Sequence, residues 1–126
     1  MARILIIEDE EPLRTVLAKS LTYAGHVVIE AENGRHGVEL FRAAPADLVI
    51  TDLIMPVQEG DETILALRKE HPRLPIIAIS GGDENSPRFL KIAAKFHPVR
   101  ILTKPFPLQE LRVAIEEILA NAEIAG

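Results

Sequence analysis

Five residues whose side chains could share one reaction, Glu8, Asp9, Asp52, Ser80 and Lys104, each stand at the end of a short apolar run. Three carboxylates brought together repel one another, so both a raised proton affinity and a cation site are expected. A divalent ion relieves that strain. An all-oxygen ligand set suits Mg2+ (or Mn2+), and Mg2+ keeps several waters and phosphate oxygens in its octahedral shell. The ligand set therefore anticipates a phosphoryl group. Lys104 can balance charge on the transferring oxygens and Ser80 can hydrogen-bond one of them, an inventory suited to positioning and electrostatic stabilisation of an in-line transfer. Asp52 is the candidate nucleophile, because a carboxylate attacking phosphorus gives a labile acyl phosphate.

The elements that must position these groups follow from the pattern of apolar residues. Ile4-Leu5-Ile6-Ile7 is a β-branched run that ends in Glu8-Asp9. After Pro12, Leu13, Val16, Leu17, Leu21 and Ala24 recur at helical spacing. Gly25 is placed to cap that helix. Val27-Val28-Ile29 reads as a second strand, closed by Asn33-Gly34, and a second helix carries Val38, Leu40, Phe41 and Ala44 until Pro45 stops it. Leu48-Val49-Ile50 is a third strand, which puts Asp52 at its carboxyl end. Beyond a loop with Pro56 and Gly60, Ile64, Leu65 and Leu67 mark a third helix, and His71-Pro72-Arg73-Leu74-Pro75 breaks the chain before a strand at Ile76-Ile77-Ala78-Ile79. Ser86-Pro87 opens a fourth helix running to about residue 96. The fifth strand covers 99–102 and leads to Thr103-Lys104-Pro105. Pro107 opens a last helix with an apolar stripe of Leu111, Ala114, Ile115, Ile118 and Leu119.

Five continuous apolar strands alternating with five helices imply a doubly wound α/β fold, with a parallel sheet buried on both faces and right-handed crossovers. Ligands of such folds bind beyond the carboxyl ends of the strands, which is where the five reactive residues fall. The 126 residues suit one domain, and 48% apolar and 26% charged residues are those of a globular chain. The absence of cysteine excludes thiol nucleophiles, Cys-based zinc sites and iron–sulfur clusters. A net charge of −5 without a basic cluster argues against direct nucleic-acid binding. No run reaches the roughly 18 apolar residues of a membrane span, and the N-terminus lacks a signal-peptide pattern, so a cytoplasmic location is expected. His26, His36, His71 and His97 lack the spacing of a metal site and are read as non-catalytic.

Four segments, Ile4-Leu5-Ile6-Ile7-Glu8-Asp9-Glu10, Thr51-Asp52-Leu53-Ile54-Met55-Pro56 with Gly60 beyond it, Ile79-Ser80-Gly81 and Thr103-Lys104-Pro105-Phe106, resemble the receiver domain of two-component response regulators. The match runs over essentially the whole chain. The resemblance implies a flavodoxin-like, CheY-like sheet of order 2-1-3-4-5, a single receiver domain over 1–126 and no output domain. It further implies that Asp52 takes a phosphoryl group from the phosphohistidine of a histidine kinase or histidine phosphotransfer protein. Mg2+ would be held by Asp9, Asp52 and the backbone carbonyl of Ile54, with Glu8 assisting through water. Ser80 would move toward the phosphoryl group, Lys104 would pair with it, the Lys104–Pro105 bond would be cis, and the last helices would repack to contact a downstream protein target. Such a chain is part enzyme and part switch, catalysing its own phosphorylation and dephosphorylation.

The sequence departs from that pattern at Ile101, where receivers commonly carry Tyr or Phe, and at His97-Pro98-Val99, where a Gly-Ala segment is usual. Ile54 and Gly82 occupy two positions that tune phosphoryl lifetime in the family, and neither side chain can orient an attacking water. Taken singly, Asp52 is a loop or cap carboxylate, Ser80 a turn hydroxyl, Lys104 a surface lysine and Glu8-Asp9-Glu10-Glu11 a solvated turn before a helix. Their shared place at the strand ends sets Glu8, Asp9, Asp52, Ser80 and Lys104 apart, and Glu10 and Glu11 are left in the solvated role. A receiver-fold scaffold without phosphorylation is the alternative function, opposed by the complete set of reactive groups. A haloacid-dehalogenase-type hydrolase would need Asp-x-Asp on the first strand, where this chain has adjacent Glu8-Asp9.

Overall fold

The β-branched runs form five strands in the computed structural model, which describes residues 2–52, 60–81 and 99–125. They are β1 (Arg3–Ile7), β2 (Val27–Ala31), β3 (Leu48–Asp52), β4 (Ile76–Ser80) and β5 (Val99–Thr103). All pair in parallel, in the order β2-β1-β3-β4-β5. Among the described residues there are four helices, α1 (Glu11–Tyr23), α2 (Gly34–Ala43), α3 (Gly60–Glu70) and, after β5, α4 (Leu108–Ala125). The helix expected over 86–96 lies outside the described residues, as do Ile54, Pro56, Gly82 and His97. Among the described residues, no helix is long and apolar enough to cross a membrane.

Alternate residues of each central strand feed two separate cores, as the two-residue period of a strand requires. Leu5, Ile7, Val49, Ile76 and Ala78 pack under α2 and α3 with Phe41, Ile64 and Leu67. Ile4, Ile6, Ile50, Ile77 and Ile79 pack under α1 and α4 with Leu17, Leu21, Leu111 and Ile115. The expectation that every strand is buried on both faces holds for β1, β3 and β4 apart from end residues, and fails for β2 and β5. Those two pair on one side only, and Val27 is 48% exposed.

Local signals set the element ends. Gly25 adopts φ 98, its amide bonds the carbonyl of Thr22 and the His26 amide bonds that of Leu21, the paired pattern that closes a helix on a left-handed glycine. Asn33-Gly34, read as a strand closure, instead opens α2, with the Asn33 side chain accepting from the His36 amide at 2.8 Å. Gly60, expected in the loop, is the first residue of α3. Gly37 lets α2 lie directly on β1, since a Cβ there would stand 2.6 Å from Ile7 Cγ1. That contact seats the end of β1, where the acidic residues begin.

Candidate functional site

The ladder hydrogen bonds run on past the strands and carry the reactive residues with them. The Glu8 amide donates to the carbonyl of Ala31 at 3.0 Å, one residue beyond β1, and this draws Glu8 into the fold, where it is fully buried. Asp9 follows on the exposed side. Asp52 ends β3 beside Ile79 and is 5% exposed, and the buried Thr51 hydroxyl donates to the Asp52 carbonyl at 3.1 Å. The Lys104 amide donates to the carbonyl of Ser80 at 2.7 Å, extending the β4–β5 pairing by one step. The Lys104–Pro105 peptide is cis, as the resemblance implied.

These extensions bring Glu8, Asp9 and Asp52 together, with one carboxylate oxygen of each lying within 4.8 Å of the others. Lys104 Nζ lies 3.1 Å from Asp52 Oδ2 and 3.6 Å from Glu8 Oε1. Ser80 closes β4 beside Thr103, one residue past the one paired with Asp52. Ile54, the remaining residue of the expected ligand set, lies outside the described residues. Ile101 is partly buried against the α2 and α3 core. Of the histidines, His26 Nδ1 accepts from the Ala2 amide at 3.2 Å and His71 stands edge-on to the Phe41 ring.

Two residues that the sequence reading passed over belong to the site. Glu10 was assigned to a solvated turn, yet its carboxylate lies 3.6 Å from Lys104 Nζ and its amide donates to Glu8 Oε2 at 3.1 Å. Its place two residues after Glu8, on the same strand-end turn, was the available signal. Arg14 donates from Nη1 to the carbonyl of Glu8 at 2.8 Å and pairs through Nε with Glu30 at 3.5 Å. Arg14 thus ties the acidic turn to β2, and nothing in its spacing marks it out from other helix-surface arginines.

The electrostatics follow from burial and crowding. Burial pushes the Glu8 carboxyl from 4.5 up to about 8; the Asp52 charge, and a proton the two carboxyls can share, add to the rise, while the Glu10 amide and Lys104 oppose it. Burial works against the Lys104 ammonium, but its hydrogen bond to Asp52 and the charges of Asp52, Glu8 and Glu10 outweigh that and hold its pKa above the ordinary lysine value. Among the described residues, none donates a hydrogen bond to the buried Glu8 Oε1, from which Lys104 Nζ stands 3.6 Å away. A buried oxygen without a donor, inside a knot of carboxylates, fits a hard divalent cation.

Because Glu8 binds its proton more tightly folded than unfolded, its contribution to stability is fully present below its unfolded value and is lost as pH rises through about 8. Urea unfolding in chelator at pH 5, 7 and 9 is expected to show wild type losing about 2–4 kcal/mol relative to Glu8→Gln across that range. Parallel stability curves for the two proteins would contradict this.

Comparison with known proteins gives the same picture. Residues 4–116 match the response regulator receiver domain family. The chain is 33% identical over 129 residues to the response regulator receiver protein CpdR of Brucella abortus, covering 97% of this chain and 100% of that one. It is 34% identical over 125 residues to the sensor kinase CckA of the same organism, covering 97% of this chain but 13% of the kinase. The chain thus spans about half or less of most of these curated relatives, and the whole length of the receiver protein CpdR. Among solved structures, the chemotaxis protein CheY4 of Vibrio cholerae superposes with a TM-score of 0.86 at 27% identity, covering 94% of this chain and 98% of that one. With a parallel sheet of order 2-1-3-4-5, an acidic knot at its carboxyl end and this match along most of its length, the chain belongs to the response regulator receiver domain family.

Proposed function

We propose that the chain is a phosphorylation-dependent switch of a two-component pathway, acting in the cytoplasm, with Asp52 as the phosphoacceptor. The observation that carries this reading is the 3.1 Å contact between Lys104 Nζ and Asp52 Oδ2 at the floor of the acidic knot. An Asp52 oxygen attacks the phosphorus of a phosphohistidine on a histidine kinase or histidine phosphotransfer protein. The O–P bond forms as the N–P bond breaks, and the imidazole leaves with the electron pair. Lys104 is already held beside Asp52 and balances charge on the transferring oxygens, at no cost of reorganisation in the transition state. Ser80, at the adjacent strand end, donates a hydrogen bond to one of those oxygens.

Asp9, Asp52 and the Ile54 carbonyl would hold Mg2+ (or Mn2+), with Glu8 acting through water. When bound, the ion neutralises charge on both the acceptor and the incoming group. On phosphorylation Lys104 pairs with the phosphoryl group and Ser80 moves toward it, the last helices repack, and the change is read by a downstream protein target. The proposed unit of function is the single domain over 1–126.

The test is intact mass after incubation with acetyl phosphate. A gain of about 80 Da, dependent on Mg2+, abolished by chelator and removed by hydroxylamine, is the signature of one acyl phosphate. A folded chain that gains no such mass would instead favour a receiver-fold scaffold that works without phosphorylation.

A further inference from the structure

Glu10 has a local use for its side chain and does not take it. It is the N-cap of α1, in extended backbone at φ −75 and ψ 106, and its side chain makes no capping hydrogen bond. An N-cap side chain ordinarily accepts from the first-turn amides, and glutamate is not among the residues preferred there. Its carboxylate instead lies 3.6 Å from Lys104 Nζ, so the ammonium is shared among Asp52, Glu8 and Glu10. Of these three, Asp52 and Glu8 are buried, whereas the Glu10 side chain is 63% exposed. Glu10 therefore stands on the solvent side of Lys104, the cation that among the described residues lies against Asp52.

We propose that Glu10 is a positioning residue that competes with the incoming group for Lys104 and sets the site against small, doubly charged phosphoryl donors. The inference rests on the reading of Asp52 as phosphoacceptor. A free dianion must approach past the Glu10 charge and displace it from Lys104, with no docking contacts away from the phosphoryl group to offset the repulsion. A phosphorylated protein partner has a docking surface to supply them. With acetyl phosphate, the bond from Asp52 oxygen to phosphorus forms, the P–O bond to acetate breaks, and acetate leaves with the electron pair. With phosphoramidate, a zwitterion of one net negative charge, the P–N bond breaks and ammonia leaves.

The experiment compares second-order rate constants of phosphorylation, read by intact mass with Mg2+, for wild type, Glu10→Gln and Glu11→Gln. Glu11 is an exposed first-turn acid one residue on, so its variant removes an equal charge close by. Glu10→Gln is expected to raise the constant about three- to tenfold with acetyl phosphate and by less than half that factor with phosphoramidate, while Glu11→Gln stays within about twofold of wild type. A structural role for Glu10 would move both donors alike. Equal changes with the two donors, a rise matched by Glu11→Gln, or no rise overturns the proposal while leaving Asp52 as acceptor. A wild-type chain that takes no phosphoryl group from either donor fails at the earlier step, and this inference falls with it.

Discussion

Asp52→Asn is expected to abolish the acetyl phosphate adduct while leaving a folded protein. The amide nitrogen and oxygen of asparagine are too weakly nucleophilic to attack phosphorus, and no neighbour replaces the lost carboxylate. Glu8 is fully buried, and Asp9 would be engaged in holding Mg2+. Two opposing changes keep the variant close to wild type in stability. The charge-assisted hydrogen bond from Lys104 at 3.1 Å is weakened, a loss of about 1.5–3 kcal/mol. Against this, an anion 5% exposed leaves the interior, together with the repulsion it exerts on Glu8. Stability at pH 7 is therefore expected to stay within about 1 kcal/mol of wild type, since a group paired at desolvation cost contributes little net. The Glu8 carboxyl should also titrate nearer its ordinary range, because two of the causes that raise it come from Asp52. Intact mass and urea unfolding of the same preparation check both halves. An adduct of undiminished size on the variant would remove Asp52 from the mechanism.

How much of this could be read beforehand differs between the sheet and the site. The run Ile4-Leu5-Ile6-Ile7 and its counterparts announced strands through composition alone, and the residue after each run marked the strand end to within about two positions. The same runs could not tell edge from centre: Val27-Val28-Ile29 is as apolar as Leu48-Val49-Ile50, yet β2 has one neighbour and β3 has two. The acidic turn shows the other gap. Four consecutive acids look equally solvated in a linear chain, and only the hydrogen bond from the Glu8 amide to Ala31, made across the sheet, separates buried Glu8 from exposed Asp9. Glu10 is solvated at the start of α1, as expected, and only its ion pair went unforeseen, for the same reason. Its partner, Lys104, is placed by the β4–β5 ladder at the far end of the chain, and helix-start statistics carry no information about it.

Lys104→Met carries the largest expected effect after loss of the acceptor itself. The substitution keeps the apolar stem and removes only the charge, so the backbone hydrogen bond to Ser80 and the packing of the turn are left in place. Phosphorylation by acetyl phosphate is expected to slow at least about 100-fold, the usual consequence of deleting one preorganised charge aimed at the transferring group. Folding is affected separately. Asp52 and Glu10 lose a cation partner, which in chelator at pH 7 should cost about 1–3 kcal/mol, less than for a fully buried pair because the Lys104 side chain is 25% exposed. The pH dependence gives a third readout with a definite sign. Lys104 is one of the two influences that hold the Glu8 pKa down, so its removal raises the folded value further above about 8. The stability lost as pH rises should then extend to higher pH in the variant than in wild type. A rate within threefold of wild type, with the adduct still on Asp52, would mean that Lys104 serves only to pair the carboxylates of the resting site.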